Sequence, residues 1–235
     1  MVIVPGTKPV HWPTCYRIIP TKYPRINIFE DVADPSELDT ILAIYAFGND
    51  RIREELNLLH RVPQADRVSG PGASYIMAAF THINPRGSRF SDGSYGVFYA
   101  SNALRVSIAE TQYHLAQFYS ATAEPPAELD QRVLEVMLRA ELHDLRGRRK
   151  QFARAYSPTS YRASQRLGVH LHSINSWGVA YDSVRTKGEC AGVFRPPALS
   201  NCRESSVLTY IWDGTKFAGE YEKRPLRGGR FDLGR

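Results

Sequence analysis

Three side chains in the stretch GSRFSDGSYGVFYASNALRVSIAE, from Gly87 to Glu110, are of types that could do chemistry together. Arg89 sits in a Gly/Ser-rich turn, Tyr99 in the apolar, aromatic run that follows, and Glu110 in a segment with helical spacing. A guanidinium forks onto phosphate oxygens, an aromatic ring stacks on a base, and a carboxylate stabilises positive charge that develops during a reaction. The trio therefore suits a phosphate-bearing ligand. The same residue types also serve as ordinary turn and surface groups.

Other chemistries lack their motifs. There is no G-x-G-x-x-G after a strand, no G-x-x-x-x-G-K-[ST] and no H-E-x-x-H, so a dinucleotide-binding Rossmann unit, a Walker-type NTPase and a zinc protease are unsupported. The pair His170-x-His172 falls in a helical pattern, where positions two apart point to different faces, which speaks against a metal site. Ser183, in WGVAYDSVR, has no nucleophile elbow around it, leaving a polar ligand contact or a turn serine bonding nearby backbone. His114 follows Glu110 by one helical turn, so a local ion pair is expected between them.

The elements that must position these residues can be read from pattern. Trp12 to Ile19 reads as an opening strand carrying Arg17, closed by Pro20 and Pro24. Asp34 to His60 reads as helix broken near Gly48-Asn49, with Leu38, Ile41, Leu42 and Tyr45 facing a core. Tyr75 to Phe80 fits either a short helix or a buried strand. Ser94 to Ala100 reads as a strand, and a helix follows from Asn102 to about Tyr119 with Leu104, Ile108, Leu115 and Phe118 as its apolar stripe. Glu110 lies on the flank of that helix, where it can line a cleft or face water. Leu134 to Leu142 alternates as a strand, and Tyr156 to Asn175 reads as a helix with Leu167, His170, Leu171 and Ile174 on one face. Gly178 to Tyr181, Cys190 to Phe194 and Ser206 to Trp212 complete the strands, giving a mixed α+β fold without regular βαβ alternation.

Length and composition bound the rest. With 235 residues, 43% hydrophobic and 23% charged, the chain reads as one globular domain over residues 1–222 followed by a basic, mobile tail over 223–235. The formal charge of +6 favours an anionic ligand or an acidic partner. No apolar run is long enough to span a membrane and no leader pattern opens the chain, so a cytoplasmic location is expected. Cys15, Cys190 and Cys202 form neither a disulfide framework nor a zinc pattern.

Taken together, Tyr16-Arg17, GSRFSDGSYGVFYAS, Ala109-Glu110, Tyr181-Asp182-Ser183-Val184-Arg185 and Ile211-Trp212-Asp213-Gly214 resemble the RES-domain toxins of bacterial toxin–antitoxin pairs. Arg89, Glu110 and Ser183 match the arginine, glutamate and serine from which that family takes its name. Tyr99 matches an active-site tyrosine, and Arg17 an additional arginine. Two departures stand out: about seventy residues separate Arg17 from Arg89, which looks like a helical insertion near residues 34–60, and Phe90-Ser91 replaces a common Trp-Asn.

The resemblance implies a fold similar to the ADP-ribosyltransferases and cleavage of NAD⁺ at the nicotinamide–ribose bond, with NAD⁺ as substrate and no metal or other cofactor. In that reading Glu110 stabilises the ribose, Arg17 and Arg89 hold the pyrophosphate, Tyr99 orients the nicotinamide ribose and Ser183 fixes the nicotinamide end. It also implies an Xre-type helix-turn-helix antitoxin as partner, with room for a homodimer and larger toxin–antitoxin assemblies, and neither nucleic acid nor membrane as a direct partner. Two other readings remain open: a ribonuclease-type toxin acting on RNA, and a non-catalytic module binding nucleic acid through its basic surface.

Overall fold

The computed structural model describes residues 3–22, 29–30, 38 and 58–224. The predicted helices over residues 34–60 fall almost wholly outside the described residues; Leu38, which was expected to face a core, is fully buried.

The longest strand organises the fold. In chain order the described elements are β1 (Thr7–Pro20), α1 (Ala73–Thr81), β2 (Phe98–Ser101), α2 (Leu104–Ala121), β3 (Ala127–Asp144), α3 (Arg162–Ser173), β4 (Gly178–Asp182), β5 (Glu189–Val193), β6 (Leu199–Trp212) and β7 (Phe217–Lys223). Antiparallel β1 runs along one edge of β3, from Thr7 opposite His143 to Pro20 opposite Gln131. Antiparallel β6 occupies the other edge up to Leu138, and β4 then takes over in parallel at His143 and Asp144. From β4 the pairing passes through β5 to β2, and a single pair, Tyr16 with Ser101, returns it to β1. The seven-stranded sheet is thereby bent round on itself. The result is the mixed α+β fold expected.

Side-chain alternation sorts the two faces of this folded sheet into separate cores. Cys15, Leu134, Val136 and Leu138 of the long strands meet Phe98, Ala100, Ala180 and Ala191 of the short ones, under Ile76, Met77 and Phe80 of α1. The outer face of the long strands packs Val133, Leu208 and Tyr210 against Leu104, Ile108 and Leu115 of α2. The outer face of the short strands packs Val179, Tyr181 and Cys190 against Leu167 and Leu171 of α3. Each fully buried Val, Leu, Phe or Met among them contributes about 1.5–3 kcal/mol.

Several expectations shift at the edges. Tyr75–Phe80 is helical, and the strand expected from Ser94 begins only at Phe98, because Gly93 to Gly96 are spent in the turn before it. Phe118 continues the α2 stripe in sequence but is 55% exposed, because Tyr119, four residues after Leu115, takes its place by packing on Trp212 of β6 with ring centres 5.6 Å apart. On α3 the buried face is Ser164, Leu167, Gly168 and Leu171, with His170 and Ile174 turned outward. β7 carries the sheet as far as Lys223, the first residue of the predicted tail, and residues 225–235 lie outside the described residues. All three cysteines are buried free thiols. Among the described residues no helix is long and apolar enough to cross a membrane.

The seat of α3 depends on a missing side chain. A Cβ built at Gly168 would fall 2.0 Å from the Phe90 carbonyl oxygen, so the helix rests directly on the backbone of the Arg89 turn. Gly168→Ala in an open helix would gain up to about 1 kcal/mol. Here it is expected to lower stability by about 1–3 kcal/mol through overpacking against backbone, as read by chemical denaturation. A neutral or stabilised variant would show that α3 does not bear on that turn.

Candidate active site

The site forms where α2, the end of β4 and the Arg89 turn converge. α2 begins by packing Val106 and Ser107 inward, and Ser107 Oγ donates to the Tyr16 carbonyl of β1 at 2.7 Å. Glu110 lies three and four residues further on, and so shares their inward side of the helix. A Cβ at Gly188 would meet Val106 Cγ2 at 2.4 Å, so the bare glycine lets α2 approach the loop after β4. That approach brings Glu110 to Ser183.

The contact itself is short. Fully buried Ser183 donates its hydroxyl to Glu110 Oε1 at 2.6 Å. Ser183 Oγ in turn accepts the backbone N–H groups of Arg185 and Thr186 at 3.1 and 3.2 Å, while the Ser183 N–H donates to the Gly188 carbonyl at 2.9 Å. Arg149 Nη2 donates to the Ser183 carbonyl, so the loop is held from both ends. Ser183 is thus a turn serine bonding nearby backbone and a direct partner of the carboxylate. Of the two expectations for it, the turn serine is the one the structure shows.

Arg89 is buried at 6% exposure, with Nη1 donating to the carbonyls of Ala155 and Ser157 at 3.1 and 3.2 Å. Its guanidinium lies 4.5 Å from the centre of the Tyr161 ring. Nη2 is buried with no hydrogen-bond partner among the described residues, which leaves a donor for a ligand. Behind it, Tyr99 props the turn: its Oη accepts the Phe90 N–H at 2.8 Å and bonds Ser88 Oγ at 2.8 Å. Gln165 of α3 ties the same turn by donating to the carbonyls of Ser88 and Ser91 at 3.1 and 3.3 Å.

Arg17 arrives by another face. Its Nη1 donates to the Tyr99 carbonyl at 3.2 Å, but its guanidinium lies 4.7 Å over Phe98, whose ring belongs to the inner core rather than to the face carrying the Tyr99 ring. Burial draws the Arg17 guanidinium down to about 10. Among the described residues, the structure brings Arg89, Tyr99, Glu110 and Ser183 to one face and joins Arg17 to them through backbone.

Several neighbours carried little signal in the sequence. Arg185 stacks on Tyr113 with 3.2 Å from its guanidinium carbon to the ring centre, and Tyr161 lies under Arg89. The motif around Ser183 includes Arg185, whereas nothing in the sequence singled out Tyr161. Buried Tyr181 is pushed well above the ordinary phenol value, first by desolvation and then by Cys190, Glu110 and Tyr99. Burial also pushes the Cys190 thiol up to about 12, with Glu110 adding to the effect.

His114 makes no ion pair with Glu110 among the described residues. Its ring stands edge-on to Tyr113 and Tyr161, keeping one edge in water. Packing lowers its pKa, as do Arg185 and Arg89, against the pull of Glu110. His170 and His172, two apart on α3, separate as their spacing predicts: His172 stacks on Tyr95 with ring centres 3.8 Å apart, and His170 is exposed. Chemically, the site sets one carboxylate beside buried guanidinium donors, an arrangement able to stabilise a cation while holding an anion.

A family model described as RES domain matches residues 60–213. A protein of Sinorhizobium fredii (strain NBRC 101917 / NGR234), described as uncharacterized protein y4oC, is 25% identical over 205 residues, covering 86% of this chain and 84% of its own length. The crystal structure of the M. tuberculosis MbcT–MbcA toxin–antitoxin complex contains a chain similar at 12% identity with a TM-score of 0.47, over 85% of this chain and 87% of that one.

Tyr99 offers a test of how the turn is held. Burial pushes its phenol up to about 12 from the ordinary 10. Because the folded value is raised, its contribution to stability is fully present below pH 10 and is lost as pH rises through about 12. Tyr99→Phe strands the Phe90 N–H and is expected to cost about 1–3 kcal/mol at neutral pH, while making the alkaline fall in stability shallower. Denaturation across that pH range reads both effects. An unchanged alkaline slope would place the titrating group elsewhere.

Proposed function

We propose, from the premise that this chain belongs to the RES domain family, that it is the toxin of a toxin–antitoxin pair and cleaves NAD⁺ between nicotinamide and ribose. The observation that carries the proposal is the Ser183–Glu110 hydrogen bond at 2.6 Å beside the buried, unfilled donor Arg89 Nη2. A carboxylate held in place next to a cation with capacity for an anion fits a substrate that bears phosphate and develops positive charge.

In the proposed reaction the glycosidic C1′–N bond breaks and its electron pair goes to the departing nicotinamide nitrogen, which leaves neutral. The ribose becomes oxocarbenium-like, as in glycoside cleavage. Glu110 stabilises that charge, its Oε1 occupied by Ser183 and its other oxygen available to a ribose hydroxyl. Tyr99 holds the Arg89 turn, and Arg17 braces β2 from the far side. Ser183 orients the carboxylate and lies beside the nicotinamide end. An acceptor, whether water, phosphate or a protein side chain, then adds at C1′. No other cofactor is required. The outcome is depletion of NAD⁺ and arrested growth in the cytoplasm, held in check by an Xre-type helix-turn-helix antitoxin that blocks the cleft.

The test uses purified protein and mass spectrometry of nucleotide products. Glu110→Gln is expected to lower NAD⁺ turnover by about two orders of magnitude or more while the protein remains folded, and Arg89→Ala to abolish it by weakening substrate binding. Intact NAD⁺ together with cleaved RNA would instead favour the ribonuclease reading, and wild-type turnover in Glu110→Gln would defeat the assigned role of the carboxylate.

A further inference from the structure

We propose that Arg185 is the second guanidinium of the pyrophosphate grip, working with Arg89 on the dinucleotide; the inference rests on the NAD⁺ reading above. The two side chains are anchored alike. Arg89 Nη1 donates to the carbonyls of Ala155 and Ser157, and Arg185 Nη2 donates to the adjoining Pro158 carbonyl at 2.8 Å. Each lies on a tyrosine ring, Arg89 on Tyr161 and Arg185 on Tyr113, and the Tyr113 hydroxyl donates to that same Pro158 carbonyl at 3.2 Å. One short turn therefore sets the spacing of both cations.

Each also retains an unfilled donor. Arg89 Nη2 and Arg185 Nε are buried without a hydrogen-bond partner among the described residues. Neither guanidinium has a carboxylate within ion-pair distance among those residues, whereas Arg146, Arg195 and Arg203 each have one at 2.6–2.8 Å. Carbonyl dipoles and ring faces hold a guanidinium in place without neutralising it, and a desolvated cation lacking a counter-ion is costly to keep. A ligand with two adjacent anionic groups, each able to accept a fork of N–H donors, offsets that cost. Pyrophosphate has that chemistry.

The placement relative to the reacting carboxylate agrees. The Arg185 backbone N–H donates to Ser183 Oγ, whose proton goes to Glu110, so Arg185 stands on the loop that orients the carboxylate. Arg185, Arg89 and Glu110 all act on the charge of His114, one turn beyond Glu110 on α2. Arg17 lies over Phe98 on the opposite face of β2, away from this convergence.

The experiment compares wild type with Arg185→Gln and Arg185→Lys, measuring NAD⁺ turnover and competitive inhibition by ADP-ribose, with circular dichroism as a folding control. Arg185→Gln is expected to raise KM for NAD⁺ by about tenfold or more and to weaken ADP-ribose inhibition by a similar factor, with the loss falling in KM rather than kcat. Arg185→Lys, which keeps the charge but not the fork, should fall between the two. Inhibition by nicotinamide, which lacks the pyrophosphate, should be unchanged. Unchanged KM and ADP-ribose inhibition in a folded Arg185→Gln protein overturns the proposal, as does an equal loss of nicotinamide inhibition, which would mark a structural role. Wild-type protein that leaves NAD⁺ intact overturns the functional reading instead.

Discussion

The hydrogen bond from Ser183 to Glu110 ties the helix on the long strands to the loop that follows the short strand β4, and the site depends on it. Glu110 belongs to α2, which covers the long strands β1, β3 and β6, whereas Ser183 follows directly on β4 in the short-strand half. A hydroxyl has one proton to give and two lone pairs to receive. Both receiving positions on Ser183 are filled by the N–H groups of Arg185 and Thr186, so its proton is directed to the carboxylate. The loop thereby converts its own backbone geometry into the orientation of a side chain on another element. Gly188 makes this possible by admitting Val106 where a Cβ could not fit.

A second constraint acts from behind. The Arg89 turn has little regular structure of its own, only the isolated bridge between Ser88 and Ser91. Its rigidity is borrowed from Tyr99 Oη behind, from Gln165 at its side and from bare Gly168 beneath it. Tyr95 closes the other end by donating to the Phe90 carbonyl. The residues that flank Arg89 are therefore occupied in holding it. A buried guanidinium with an open donor requires such support, because the chain would otherwise relax to satisfy the group.

The legible part of this molecule was the part written in local pattern. The alternation of Leu134 to Leu142 marks β3 without help, and the apolar spacing of Leu104, Ile108 and Leu115 marks the core face of α2. The site was legible only as a set of residue types whose partners lie far apart in the chain. Measured from Leu104, Glu110 sits on a flank; measured from Val106 and Ser107, it sits on the side that packs against β1 and the β4 loop. Nothing in the sequence says that α2 is buried on both sides near its start, because that follows from the sheet folding back to pair Tyr16 with Ser101. The same closure puts Arg17 and the Tyr99 ring on different faces of β2. Strand alternation predicts the face of each residue within a strand, but not which face of one strand meets which face of another.

Charge shows how the fold separates structure from chemistry. Arg132, Arg146, Arg195 and Arg203 are each matched to a carboxylate, and these pairs tie strands or loops together. Arg89 and Arg185 are held by neutral carbonyls and rings, and Glu110 is engaged by a hydroxyl. Pairing that carboxylate with either arginine would satisfy both groups and leave neither field available to a ligand. Partners that are neutral but fixed keep both charges unspent and already oriented, so little reorganisation is required when a ligand arrives. In the proposed reaction the positive and negative centres act on different parts of one molecule, the arginines on its anionic portion and the carboxylate on the atom where positive charge appears.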